Sequence, residues 1–283
     1  MDTLLTAAAL PVVGLCYFIY KKDNNKEPID LLLKLLGFGA LIVIPILIME
    51  LVLDGVCNTE HDLSLVSIFI KMLIGVGLAE EGFKWLVIKF KAYNHQEFDE
   101  IYDIIVYSVF VSLGFACIEN IMYVFTGGLL VAVLRALLSV PGHACFAVLM
   151  GYYFSRAKVA SINGHKALCT KNMILSILIP ILFHTMYDAL LTWYSNTSNG
   201  SIVLLFLAFD IIMVVTCFII VNKTSRVQQN LKENLDAGSI VQNNGQIQLV
   251  ETKATTQTIN FCPLCGSNVM NANFCPKCGL KIR

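Results

Sequence analysis

The chain has 283 residues, 57% of them hydrophobic and only 14% charged, with a formal net charge of zero and a mean hydropathy of +0.70. A soluble domain has no interior large enough to hide that much apolar surface, so an ordinary water-soluble globular class is excluded. The balanced charge gives no electrostatic case for a nucleic-acid partner.

Apolar runs of about 17–25 residues, the length that crosses the hydrocarbon core of a bilayer, fall at 4–20, 31–53, 63–90, 101–125, 129–154, 173–194 and 202–221. They predict an all-α polytopic membrane protein with about seven transmembrane helices. The first run has no basic residue ahead of it and no small-residue cleavage site before Lys21, so it reads as a retained helix rather than a signal peptide. The third is the weakest, because Lys71, Glu80, Glu81, Lys84 and Lys89 interrupt it. Gly75, Gly77, Ala79 and Gly82 in the same run suggest close helix contact instead.

The basic residues of the loops fix an expected orientation. Lys21, Lys22 and Lys26 follow the first run, and Lys89 and Lys91 the third. Arg156, Lys158, Lys166 and Lys171 follow the fifth, and Lys223, Arg226 and Lys232 the seventh. The intervening loops carry no Lys or Arg. By the positive-inside rule the N-terminus is outside and the C-terminus cytoplasmic in a cell membrane.

After residue 221 the composition turns polar, and 222–260 reads as a flexible cytoplasmic linker. Residues 261–283 hold Cys262-x2-Cys265 and, nine residues on, Cys275-x2-Cys278. Two such knuckles present four thiolates, the donor set of tetrahedral structural Zn2+, and a cytoplasmic location favours a metal over disulfides. Iron in the same four-cysteine geometry is the competing reading. A zinc ribbon closes its own coordination sphere, so it is expected to be structural or to dock a cytoplasmic protein partner. Cys16, Cys57, Cys117, Cys145, Cys169 and Cys217 are scattered and read as small core residues.

Ionisable residues inside the apolar runs carry the functional signal, because a charge at membrane depth costs at least ~2.5–3.5 kcal/mol. Glu80 and Glu81 lie four and three residues before Lys84, so one ammonium can reach either carboxylate. His184 and Asp188 share a helix face, and the aspartate can orient the imidazole. Glu119 is followed by Asn120, which can donate an amide to a carboxylate or a substrate carbonyl, and Phe115 lies one turn before Glu119 to wall it from lipid. His143 follows Pro141-Gly142. At 1.5 Å per residue, Glu81, His143 and His184 sit roughly 15–20 Å from the basic ends of their helices, and Glu119 about 24 Å from Asp103.

Singly, each has a packing explanation: a Glu–Lys helix lock, an interhelix hydrogen bond, or a histidine on carbonyls freed by a proline kink. Lys71 and Arg135, near the outer face, read as snorkelling. Jointly, three glutamates, two histidines and an aspartate at similar depth suit carboxylate- or metal-activated water with His or Asn on the oxyanion. They also suit a proton- or cation-coupled transporter, although no inverted repeat is evident. A third class is a non-enzymatic membrane scaffold whose working part is the zinc ribbon. No HExxH occurs, so a zincin-type site is excluded.

The series EExxK (Glu80, Glu81, Lys84), FxxxEN (Phe115, Glu119, Asn120), PGHxxF followed by GYY (Pro141, Gly142, His143, Phe146; Gly151, Tyr152, Tyr153) and HxxxD (His184, Asp188) closely resembles the PrsW family of intramembrane proteases. That family looks related to the CAAX prenyl protease and bacteriocin-processing superfamily. The resemblance covers about residues 60–195, which it makes the protease core of a membrane domain at 1–221. It implies site-1 cleavage of a membrane-anchored anti-sigma factor in a stress response. By this likeness Glu80, Glu81, Glu119, His143, His184 and Asp188 are catalytic, with Lys84 and Asn120 in support. The resemblance permits either a catalytic metal or a Glu-activated water. It does not extend to the zinc ribbon.

Overall fold

The computed structural model describes residues 2–56, 64–236, 240–243 and 246–249. The expected zinc ribbon, with Cys262, Cys265, Cys275 and Cys278, lies outside the described residues, as do parts of the expected linker.

Nine α-helices follow one another among the described residues. They are α1 (Asp2–Lys22), α2 (Ile29–Leu41), α3 (Val43–Val56), α4 (Leu65–Met72), α5 (Leu78–Val87), α6 (Asp103–Leu137), α7 (Ser139–Ile162), α8 (Lys166–Thr197) and α9 (Gly200–Asp236). Two short strands, β1 (Ile240–Asn243) and β2 (Gln246–Leu249), pair antiparallel with Ile240 opposite Leu249. The helices are apolar on their outer as well as their inner faces. Leu51, Phe90, Leu130 and Leu204 are each at least 70% exposed, the pattern of a bundle whose solvent is lipid.

Five stretches are long and apolar enough to cross a membrane: Thr3–Lys22, Ile29–Leu53, Asp103–Ile162, Lys166–Thr197 and Gly200–Asn230. The third of these contains two of the runs expected from the sequence. In a straight helix Glu119 and Arg135 would be ~24 Å apart, yet their side chains meet at 2.6 Å. The chain reverses at Gly128, whose φ of 73° and ψ of −163° lie outside the helical region and suit glycine.

The expected run at 63–90 is not among the five. It forms α4 and α5, with one π-helical turn between them at Leu73–Gly77 and another after α5 at Ile88–Ala92. Its charges depress its hydropathy, and Glu80, Glu81 and Lys84 are at most 5% exposed, turned away from lipid into the bundle. Widened turns of this kind re-aim the side chains beside them and recur at functional sites.

α9 runs through residue 221 to Asp236, so 222–236 is helix rather than linker. The polar residues read as a tether have partners instead. Lys22 Nζ donates to Asn222 Oδ1 at 2.8 Å, Asn24 Nδ2 to the Ser225 carbonyl at 2.9 Å, and the Tyr102 N–H to Gln228 Oε1 at 2.8 Å.

α6 is the hub of the bundle: α1, α2 and α7 pack on it, and α8 packs on α7. The approach of α2 is close enough to require glycine. A Cβ on Gly114 would fall 2.0 Å from the Leu36 carbonyl oxygen, and one on Gly39 would fall 1.9 Å from that of Val111. Gly114→Ala is therefore expected to destabilise the bundle by about 1–3 kcal/mol through overpacking. Gly14→Ala, where nothing lies within 4 Å, serves as the neutral control. Equal thermal midpoints for the two variants in detergent would contradict the close approach.

Candidate active site

α5 brings the two adjacent glutamates to the middle of the bundle. Gly77, at the end of the preceding π-turn, lets α5 approach α8, since a Cβ there would meet Thr185 Oγ1 at 2.4 Å. That contact sets Glu80 and Glu81 opposite His184. Lys84 Nζ, 1% exposed, donates to Glu80 Oε2 at 3.0 Å and to Glu81 Oε1 at 2.7 Å. It therefore reaches both carboxylates at once.

Lys84 Nζ also lies 3.3 Å from His143 Nδ1 and over the Phe115 ring at 4.3 Å. An ammonium only donates, so His143 Nδ1 accepts, and the protonated Nε2 donates to Glu119 Oε2 at 2.9 Å. His184 faces a carboxylate on each nitrogen, with Nδ1 3.0 Å from Glu81 Oε1 and Nε2 3.3 Å from Asp188 Oδ2. With an acceptor on either side both nitrogens donate, which is the geometry of an imidazolium. Phe146 stacks on the His184 ring at 4.6 Å, and Phe115 meets His143 edge-on at 5.6 Å. These aromatic contacts fix both imidazole planes.

All six expected carboxylate and histidine residues thus belong to one connected cluster. Two supporting expectations need correction. Asn120 does not point to the cluster's carboxylates; its amide donates to the Ala8 carbonyl at 2.7 Å and ties α6 to α1. Phe115 does not wall Glu119 from lipid but packs against His143 and Lys84.

Arg135 was expected to snorkel. Instead Nη2 donates to Glu119 Oε2 at 2.6 Å and Nε to Asn120 Oδ1 at 2.9 Å, and the guanidinium lies over Tyr123 at 4.3 Å. The reversal at Gly128 brings it back onto Glu119. Residue spacing cannot reveal that fold-back, but a guanidinium in the apolar stretch LLVAVLRALL was itself a signal.

A cavity of about 820 Å³ opens onto the cluster, within the size range of ligand sites. Glu80, Glu119, Arg135, His143, His184 and Asp188 line it. Glu81, 0% exposed, stands behind them. Glu50 of α3 also lines the cavity and had no place in the sequence reading.

Glu80, Glu81, His143 and His184 each offer one ligand atom, and the four atoms lie within 4.8 Å of one another. Two carboxylates and two imidazoles suit a divalent transition metal. The outer nitrogens of both histidines rest on Glu119 and Asp188, the carboxylate backing that metal-bound histidines commonly have. Glu81 Oε2 is buried without a hydrogen-bond partner. The set therefore fits a metal. The Lys84 ammonium touches three of the four side chains, so it competes with a metal for the same donors.

Residues 27–221 match the family described as PrsW family intramembrane metalloprotease. A protein named Protease PrsW from Oceanobacillus iheyensis is 40% identical over 196 residues, which cover 69% of this chain and 86% of that one. The Bacillus subtilis protein of that name is 36% identical over 197 residues, with 69% and 86% covered. That of Clostridioides difficile is 35% identical over 195 residues, with 66% and 79% covered. No solved structure matches the chain significantly. A buried carboxylate–histidine centre inside an apolar helical bundle and these matches agree: the chain belongs to the PrsW family of intramembrane proteases.

Proposed function

We propose that the protein hydrolyses a peptide bond of a membrane-anchored protein inside the bilayer, with Glu80 as the general base. The observation that carries this reading is the position of Glu80. Of the adjacent pair it is the one that borders the cavity, held by a hydrogen bond from Lys84 at 3.0 Å with His184 Nδ1 4.0 Å away.

In this mechanism a water in the cavity gives a proton to Glu80 as its oxygen attacks the scissile carbonyl carbon. The positive charge of the His184 imidazolium, whose two N–H groups stay on Glu81 and Asp188, stabilises the developing oxyanion through space. Collapse of the tetrahedral species breaks the C–N bond, and Glu80 returns the proton to the leaving amine. Lys84 donates to both glutamates and holds them in place. A divalent metal, held by Glu80, Glu81, His143 and His184, would supply Lewis-acid activation of the water.

Arg135 holds Glu119, which holds His143. Arg135→Gln removes a charged hydrogen bond worth about 1.5–3 kcal/mol. It is expected to lower the cleavage rate roughly 10–100-fold, a loss checked against wild type in the same membranes. An unchanged rate would remove Arg135 from the site.

The finer reading takes an anti-sigma factor as substrate, cut at a first site in stress signalling. The α4–α5 segment and the two halves of Asp103–Ile162 bring the membrane crossings to seven, with the N-terminus outside and the C-terminus cytoplasmic. The four cysteines at 262–278 form a structural zinc ribbon that docks a cytoplasmic partner.

The test is reconstitution in proteoliposomes with a single-pass membrane protein. Wild type should yield two fragments by mass spectrometry, and a Glu80→Gln/Glu81→Gln double variant none. Fragments from the double variant would overturn the catalytic assignment. Glutamate-dependent ion uptake without fragments would favour a transporter.

A further inference from the structure

A second buried acidic group lies at the other end of α6. Asp23 and Glu27 sit in the turn between α1 and α2, and Asp103 opens α6. They are 3%, 4% and 0% exposed. One carboxylate oxygen from each lies within 4.8 Å of the others. Asp103 precedes Glu119 by sixteen residues of helix, or about 24 Å, so this group is separate from the centre described above.

The three carboxylates are held from behind. Asp103 Oδ2 accepts the N–H groups of Asp99 at 3.1 Å and Glu100 at 2.6 Å. Glu27 Oε2 accepts the Tyr107 hydroxyl, and Asp23 Oδ1 accepts the Asn25 N–H at 3.3 Å. Two further oxygens, Asp23 Oδ2 and Asp103 Oδ1, are buried with no hydrogen-bond partner. Gln228 of α9 stands near enough to favour the Asp23 anion, but it gives its Oε1 to the Tyr102 N–H and makes no hydrogen bond to Oδ2.

The nearby cation does not neutralise the group by contact. Lys26 Nζ turns to backbone carbonyls, those of Tyr20 at 2.6 Å, Lys21 at 3.2 Å and Asp23. Asp99 and Glu97 add negative charge around Glu27. Two buried oxygens that make no hydrogen bond, beside further carboxylates and with Lys26 turned to backbone carbonyls, call for a positive ligand.

We infer that Asp23, Glu27 and Asp103 form a binding site for a hard divalent cation such as calcium. The donors are all oxygen, with no nitrogen or sulfur that would select zinc or copper. One oxygen from each carboxylate lies within 4.8 Å of the others, close enough for a single cation to touch all three. The ion would fasten the α1–α2 turn to the start of α6. Through the bonds of Asn24 to Ser225 and of Tyr102 to Gln228 it would also fasten α9, the helix that leads into the C-terminal tail.

The test is terbium luminescence on the purified full-length protein, with Tb3+ as the calcium surrogate and Tyr107 and Tyr102 as sensitisers. Wild type should show saturable emission that Ca2+ displaces. Emission should persist in Glu80→Gln/Glu81→Gln and in a quadruple Cys→Ser variant of the tail. Glu27→Gln and Asp103→Asn should each weaken binding at least tenfold. Because Asp103→Asn also weakens the helix start, Glu27→Gln is the decisive variant, with its helical content matched to wild type by circular dichroism. Absence of emission in wild type, or unchanged emission in Glu27→Gln, would show that the carboxyls hold protons rather than a cation and would overturn the site.

Discussion

Glu80→Gln is expected to lower the cleavage rate by about 10²–10⁴-fold, the usual contribution of a positioned general base, while the protein unfolds at nearly the wild-type temperature. Glu80 faces the cavity and shares one hydrogen bond with Lys84. Its amide replacement keeps the shape and loses only the proton acceptor. Glu81→Gln should also lose activity, by a different route. Glu81 is 0% exposed and accepts from Lys84 at 2.7 Å and from His184 at 3.0 Å. An amide there leaves two buried cations short of their counter-ion, which costs about 3–5 kcal/mol. Cleavage assays paired with thermal unfolding in the same detergent separate the two duties. Equal unfolding temperatures for the two variants would refute the division between a base and a positioning residue.

The parts of this site that were legible in sequence are those that short-range spacing controls. The Glu80–Lys84 and His184–Asp188 contacts follow from i, i+4 geometry, and the structure shows both. The meeting of His143 with Glu119 required tertiary convergence, which the similar depths of the two residues, with Glu119 further toward the outer half, allowed. Arg135 was misread because its partner is sixteen residues back along a chain that reverses at Gly128. A hydropathy run does not tell a reversal from a continuation. Glu50 was passed over because it lies near the end of its apolar run, where a carboxylate is cheap; only the bundle shows that it borders the cavity. The helix α9 continues past its apolar portion because Asn222, Ser225 and Gln228 each find a partner at the end of α1 or at the start of α6. Polar composition there reported a docked helix end.

The largest effect on stability is expected from Lys84→Met, which removes the ammonium that Glu80, Glu81 and His143 share. Lys84 is 1% exposed and its side chain packs against Phe115, so methionine keeps most of the volume and deletes the charge. Two adjacent buried carboxylates are then left to share His184 in place of the ammonium, and the expected loss is about 3–5 kcal/mol. Adding Glu80→Gln to Lys84→Met should recover about 1–3 kcal/mol of that loss, because the two substitutions act on one contact and are not additive. The same variant reports on the metal. With the ammonium gone, the four donors of Glu80, Glu81, His143 and His184 have no competing cation, so micromolar Zn2+ or Mn2+ should raise the unfolding midpoint of Lys84→Met more than that of wild type. The comparison is made with the tail cysteines replaced in both proteins, so that the shift reads the buried centre alone. A midpoint that ignores both metals in both proteins would mean that the carboxylate–histidine cluster works through Lys84 and not through a metal.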